Sequence, residues 1–96
     1  MPTYVLAQMK VHDRERYNRY AAAFRETIRP FAARLLAAQD APSVLEGEWP
    51  FERAVLIVFS SRDEADRWSR SDAYQAIVGD RLAATTGVVV AIEGLA

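Results

Sequence analysis

The feature that most constrains this chain is an uninterrupted apolar run at residues 54–59, Ala-Val-Leu-Ile-Val-Phe. Its length and its β-branched residues are typical of a strand that is buried on both faces, so we predict a central strand here. Ser61 and Glu64 follow at the spacing of a capping box, in which each side chain accepts a hydrogen bond from the other residue's backbone N–H. A helix is therefore expected to begin at about Arg62.

The first third of the chain predicts a strand followed by a helix. Residues 3–11 alternate in polarity, and one clean apolar face is formed by Val5, Ala7, Met9 and Val11. Asp13 is a favoured N-cap. The helix after it carries an apolar stripe at spacings of three and four, namely Tyr17, Tyr20, Ala21, Phe24, Ile28 and Phe31. Its opposite side is charged and includes Arg25. Pro30 cannot donate a hydrogen bond, so the helix should end or kink there.

The remaining segments predict two more strands and a second helical region. Residues 34–38 and 43–46 are interpreted as one strand that is interrupted or bulged near Pro42. The helix that begins at Arg62 is expected to bury Ala65 and Trp68. Ser71 can cap a further helical turn, whose expected buried face is Tyr74, Ile77, Val78 and Leu82. Residues 88–92 are apolar on both faces and predict the last strand.

The predicted element order is βαββαβ, which favours a split, four-stranded antiparallel sheet of the ferredoxin-like kind. We therefore expect an α+β fold and one domain over residues 1–96. In this architecture both helices cover one face of the sheet and leave the other face open. Four strands of about five residues expose roughly 300 Å² of sheet, and an apolar patch of that size is at the limit of what monomers tolerate. A two-fold homodimer with a shared barrel-like core is expected to cover it.

The charge balance and the lack of cysteine limit the binding partners and the kinds of catalytic or metal site that this chain can have. Lys and Arg number 12 against 13 Asp and Glu, for a net charge of −1, so we expect neither a nucleic-acid partner nor a membrane surface. The absence of cysteine excludes disulfides, thiolate nucleophiles and Cys-based metal centres. No cofactor and no metal are expected. His12, the single histidine, is interpreted as a solvated loop residue, with a general base or a haem or metal ligand as the alternative. No signal peptide or membrane-length segment is recognisable, so a cytoplasmic location is the expectation.

Several polar residues are candidates for a small-ligand site. Gln8 falls on the predicted open face of the sheet, where a polar group beside apolar walls is typical of a pocket, unless it is simply solvated at the strand end. Glu46 is interpreted as an ion-pair partner of Arg34 or Arg53, with an acid–base role as the alternative. Arg53 and Arg81 have the side chain to hold a carboxylate or phosphate, or they brace the ends of strands and helices.

Short motifs over nearly the whole chain carry a family resemblance. They are Tyr4-Val5-Leu6-Ala7-Gln8, Asp13 with Tyr17 and Tyr20, Glu46-Gly47 before Arg53, Phe59-Ser60-Ser61, Ala65 with Trp68, Ser71-Asp72-Ala73-Tyr74-Gln75, and Arg81. Together they resemble the domain-of-unknown-function family 1330, part of the dimeric α+β barrel superfamily. The resemblance implies a homodimer of ferredoxin-like subunits and no established activity. Its superfamily includes cofactor-free monooxygenases of the antibiotic-biosynthesis type and haem-degrading enzymes, which use the cavity between helices and sheet.

Three functional hypotheses follow. The first is a small homodimer that binds an apolar or aromatic metabolite in a subunit cavity, with Gln8, Glu46, Arg53 and Trp68 as ligand-binding residues. The second is a cofactor-independent monooxygenase or isomerase that acts in that cavity. The third is a structural dimer without a ligand. Fold kinship transfers architecture better than chemistry, so the sequence leaves open whether the chain is an enzyme.

Overall fold

A four-stranded antiparallel sheet forms one layer of the molecule, which we describe from a computed structural model over residues 1–95. The strands are β1 (Thr3–Val11), β2 (Arg34–Asp40), β3 (Arg53–Phe59) and β4 (Thr85–Glu93), in the order β2-β3-β1-β4. The apolar run at 54–59 lies in β3, so its predicted central position is confirmed. The predicted domain also includes Ala96, which lies outside the described residues.

The helices form the second layer. They are α1 (Arg14–Ile28), α2 (Arg62–Ser69) and α3 (Asp72–Ala84), and a 3-10 turn (Arg29–Phe31) follows α1. Each helix begins at its predicted cap: the side chains of Asp13, Ser61 and Ser71 accept hydrogen bonds from backbone N–H groups three residues later. With the consecutive helices α2 and α3 counted as one helical region, the element order is the predicted ferredoxin-like βαββαβ. Within residues 1–95, no helix has the length and apolar character needed to cross a membrane.

The hydrophobic core lies between these two layers. The clean face of β1 points into it, as predicted, with Val5, Ala7 and Met9 all buried. The apolar stripe of α1 packs against this face because its residues recur every three or four positions on one side of the helix. Phe59, at the end of β3, has no exposed surface. The site described below is formed inside this core.

The second strand differs from the prediction. β2 ends at Asp40, and the prediction that residues 43–46 continue it is wrong, because they lie in the connection outside the sheet. Ala41 has a positive φ of 48°, and its N–H donates to the Glu52 carbonyl at 2.6 Å. The chain therefore turns out of the ladder at once, and Pro42 has no N–H with which to rejoin it.

One residue of α3 was assigned to the wrong face. Leu82 was predicted to share the buried face with Tyr74, but it is 63% exposed. Successive helical residues are about 100° apart, and the inward side of α3 runs through Tyr74, Ile77 and Arg81. Leu82 lies just beyond the edge of that side and points to solvent.

The face of the sheet away from the helices is apolar and uncovered within the subunit. Strand register aligns Leu6 with Leu56 on one side and with Val90 on the other. On β4 the outward side chains Val88, Val90 and Ile92 are 48%, 43% and 49% exposed. This open face is the surface that the sequence predicted to need a cover.

Candidate functional site

A cavity of about 150 Å³ lies between the helices and the sheet. Its floor is aliphatic and comes from all four strands, with Val5, Val55, Leu35 and Val89 among the contributing residues. An apolar cavity of this size in another protein binds benzene, so the space matches a single aromatic ring. Protein interiors rarely leave a void larger than a water molecule, so a space of this size beside the core is a candidate ligand site.

The roof of the cavity is aromatic and is supplied by all three helices. Tyr17, Tyr20 and Phe24 come from α1, Trp68 from α2 and Tyr74 from α3. The three α1 rings lie three and four residues apart, so they share one side of the helix. Adjacent rings are tilted, with centroids 5.8 Å apart for both successive pairs on α1.

Trp68 is held by a hydrogen bond at its polar edge. Its Nε1–H donates to Thr27 Oγ1 at 3.0 Å, and the Thr27 hydroxyl donates to the Phe24 carbonyl at 2.7 Å. The ring centroid of Trp68 lies 4.1 Å from that of Tyr74. Because the indole N–H is satisfied by α1, the part of Trp68 that lines the cavity is the apolar ring.

Arg53 forms one polar corner of the cavity. Its Nε–H donates to the Tyr17 hydroxyl at 3.0 Å, and its Nη1–H donates to Asp40 Oδ1 at 3.0 Å. The hydrogen bond from Arg53 lowers the pKa of the Asp40 carboxyl. The prediction that Glu46 forms an ion pair with Arg53 or Arg34 is therefore wrong. The carboxylate that connects β2 to Arg53 on β3 belongs to Asp40.

A second polar corner contains two phenols and an arginine. The hydroxyls of Tyr20 and Tyr74 lie 3.4 Å apart, and Arg81 Nη2 makes a long contact of 3.5 Å with the Tyr74 hydroxyl. The Arg81 guanidinium carbon is 6.0 Å from the centroid of the Tyr20 ring. Burial, reinforced by the neighbouring Tyr74, raises the pKa of Tyr20. Tyr20 is thus a neutral phenol at physiological pH, able to hydrogen-bond but not to act as a base.

The structure brings two of the four predicted ligand-binding residues together. Arg53 and Trp68 both line the cavity. Gln8 lies on the open face of the sheet, on the other side from the cavity, because it alternates with Ala7 along β1. Glu46 is exposed in the connection between β2 and β3.

Sequence reasoning missed part of the lining. Arg25 was assigned to the charged side of α1, yet it borders the cavity. The available signal was its spacing, since Tyr17, Ala21 and Arg25 are each four residues apart and lie on one face of the helix. The tyrosine hydroxyls were missed because their rings belong to the apolar stripe.

The chemistry of this arrangement is binding by stacking and by donated hydrogen bonds. The titratable side chains that line the cavity are arginines and tyrosines. In the part of the chain that the structure describes, no three His, Asp or Glu side chains converge as they would around a metal ion. The cavity therefore offers aromatic faces, phenol hydroxyls and guanidinium donors.

A family model described as a domain of unknown function (DUF1330) matches residues 2–95. No curated protein is a significant match to the chain.

Solved structures show the same fold at low sequence identity. A protein of unknown function from Rhodopseudomonas palustris has a TM-score of 0.83 and 14% identity, over 99% of this chain and 83% of that one. A dimeric ferredoxin-like protein of unknown function from Jannaschia sp. CCS1 has a TM-score of 0.78 and 15% identity, over 98% and 100%. SnoaB, a cofactor-independent oxygenase from Streptomyces nogalater, has a TM-score of 0.70 and 10% identity, over 99% and 94%. At these identities the likeness is one of fold.

Proposed function

The chain belongs to the DUF1330 family, and we propose that it is a homodimer whose subunits each bind a small, flat, largely apolar molecule between helices and sheet. The observation that carries this proposal is the cavity of about 150 Å³. It has an aromatic roof, an aliphatic floor and a few polar groups at its walls, which is the usual composition of a small-ligand site.

The homodimer is supported by the open face of the sheet. Val88, Val90 and Ile92 on β4 remain about half exposed in the single subunit, and Leu6 and Leu56 lie beside them in register. Two such faces packed about 10 Å apart would remove this surface from water on both subunits. A two-fold axis brings the same patch of each subunit together. The protein from Jannaschia sp. CCS1, which has the same fold and is described as dimeric, supports this assembly.

Two residues are proposed to contact the ligand directly. Trp68 offers a ring that is already held in place by its hydrogen bond to Thr27, so little side-chain entropy is lost when a ligand stacks on it. Arg53 is fixed by Tyr17 and Asp40, and its remaining N–H groups are available to an acceptor on the ligand.

The test uses a variant that fills the cavity. Ala21 lines the cavity, whereas its neighbour Ala22 is exposed on the outer side of α1. A thermal-shift screen of aromatic metabolites should find compounds that stabilise the wild type and Ala22→Phe but not Ala21→Phe. If no compound stabilises the wild type, or if Ala21→Phe responds equally, the cavity is not a ligand site and a structural dimer is the better account.

A cofactor-independent oxygenase is the second candidate, and it is favoured by the fold shared with SnoaB over most of both chains. Burial keeps Tyr20 a neutral phenol that cannot take up a proton, so the substrate itself would have to lose its proton readily. Oxygen uptake in the presence of a screened compound, abolished by Ala21→Phe, would support this candidate over simple binding.

A further inference from the structure

We propose that the cavity selects an aromatic anion, with a carboxylate on a single ring as the type, and that Arg81 and Arg25 receive its charge. This inference rests on the proposed function, because it requires that the cavity takes a ligand. It specifies that the ligand is negatively charged and names the residues that bind the charged group.

The walls of the cavity are positively charged in a protein whose net charge is −1. Three arginines line it, Arg25, Arg53 and Arg81, and its described lining contains neither Asp nor Glu. The charge of Arg53 is already matched by Asp40 at 3.0 Å. In residues 1–95, neither Arg25 nor Arg81 forms an ion pair.

Most arginines in the described part of the chain do form an ion pair. Six others besides Arg53 have a carboxylate within 4 Å: Arg14, Arg16, Arg19, Arg29, Arg62 and Arg67. Two of the arginines that lack such a partner thus meet at one cavity. A partly enclosed, low-dielectric site strengthens the attraction of a guanidinium for an anion compared with open solvent.

The surroundings of Arg81 suit a carboxylate attached to a ring. Its guanidinium carbon lies 6.0 Å from the Tyr20 ring centroid, and its one polar contact in the described structure is the long one to the Tyr74 hydroxyl, 3.5 Å. Most of its N–H donors are therefore free to form the two parallel hydrogen bonds that a carboxylate accepts from arginine. Only one of the two phenols, Tyr20 or Tyr74, can donate in their mutual contact, so the other keeps an O–H donor beside the guanidinium. The remaining space is aromatic and aliphatic and holds the ring.

The experiment compares two probes that differ in charge and hardly in shape, benzoate and benzamide. Each of them, and toluene as an uncharged apolar ring, is titrated into the wild type while ¹H–¹⁵N spectra are recorded. The protein has two indole N–H signals, of which Trp68 belongs to the cavity and Trp49 lies in the connection between β2 and β3. Benzoate should shift the Trp68 signal and not that of Trp49. It should bind about tenfold more tightly than benzamide, the usual effect of a hydrogen bond to a charged group.

Arginine variants test which residues cause the preference for benzoate over benzamide. Arg81→Met and Arg25→Met should each reduce the ratio of benzamide to benzoate dissociation constants, and Arg81→Lys should retain part of it because the charge remains. Arg70→Met is the matched control, since Arg70 is an exposed arginine outside the lining. Arg25 is itself exposed, so its variant tests the inference even if Arg81→Met fails to fold.

The outcomes separate the two proposals. If benzoate and benzamide bind equally, or if the preference survives in Arg25→Met and Arg81→Met, the inference is overturned while the proposed ligand site stands. A preference lost equally in Arg70→Met would also overturn it, because the effect would then be one of overall charge. If benzoate, benzamide and toluene all fail to shift Trp68, the proposed function fails together with the inference.

Discussion

Replacing Val90 with aspartate should dissociate the proposed homodimer and leave the subunit folded. Val90 lies on β4, on the open face of the sheet, opposite Leu6 in register. It is 43% exposed within the subunit, so the folded subunit tolerates a polar side chain there. In the dimer the same side chain would be covered by the partner sheet.

The size of the effect follows from that exposure. Complete burial of a valine contributes about 1.5–3 kcal/mol, so the part still to be buried contributes about 1 kcal/mol, or about 2 kcal/mol for the two copies in a dimer. That loss alone raises the dissociation constant about 30-fold. Each copy also brings a carboxylate without a partner into the interface, at a cost of several kcal/mol. The combined increase should reach about 1,000-fold or more.

Sedimentation velocity at micromolar concentration provides the measurement, with circular dichroism to check that the variant is folded. The control is Leu82→Asp, which places the same charge at an exposed apolar residue of α3, away from the open face. We expect a monomer for Val90→Asp and a dimer for the wild type and the control. A wild type that sediments as a stable monomer, or a Val90→Asp variant that sediments as the wild-type dimer, would refute the reasoning.

Three further predictions concern the subunit alone. Trp68→Ala should lower the free energy of unfolding by about 3–5 kcal/mol in urea, because a buried indole is lost; a loss below about 1 kcal/mol would contradict its role in the core. Arg53 lowers the pKa of the Asp40 carboxyl. The contribution of this ion pair to the stability of the fold is therefore present above the unfolded-state pKa of about 3.9, and it disappears as pH falls through the folded-state pKa. Asp40→Asn should therefore cost less than about 1 kcal/mol at neutral pH, since the side chain is half exposed, and nothing at low pH; a cost that grows on acidification would be the wrong sign. Gly87→Ala should strongly destabilise the fold, because the new Cβ would lie 2.6 Å from the Met9 backbone Cα. Gly79→Ala should instead stabilise α3 by up to about 1 kcal/mol, because no atom lies within 4 Å of the new Cβ. Equal effects of the two variants in thermal unfolding would argue against the packing described.

Local sequence patterns were sufficient for the architecture. The alternation in β1, the apolar run in β3 and the caps at Asp13, Ser61 and Ser71 each depend on neighbours within a few residues. The physical rules for these features act over one turn or one strand, so they can be applied to the sequence directly. The open, apolar face of the sheet followed from the same patterns, because a βαββαβ chain has helices for only one face.

The errors were made where a residue's position depends on distant segments. The end of β2 depends on the backbone of Ala41 and on its bond to Glu52, and the partner of Arg53 turned out to be Asp40 rather than Glu46 because that turn removes Glu46 from the sheet. Leu82 was misassigned because the inward direction of α3 is set by the elements it packs against.

The sequence by itself determined the order of the elements, their caps and the need to cover one face of the sheet. Only the tertiary structure decided that Arg53, Trp68 and the tyrosines surround a cavity and that Gln8 lies on the other side of the sheet. The physical reason is that a cavity is the volume left over when side chains from several elements meet. Its size and charge depend on how α1, α2 and α3 seat against the sheet, and no single stretch of sequence contains that information.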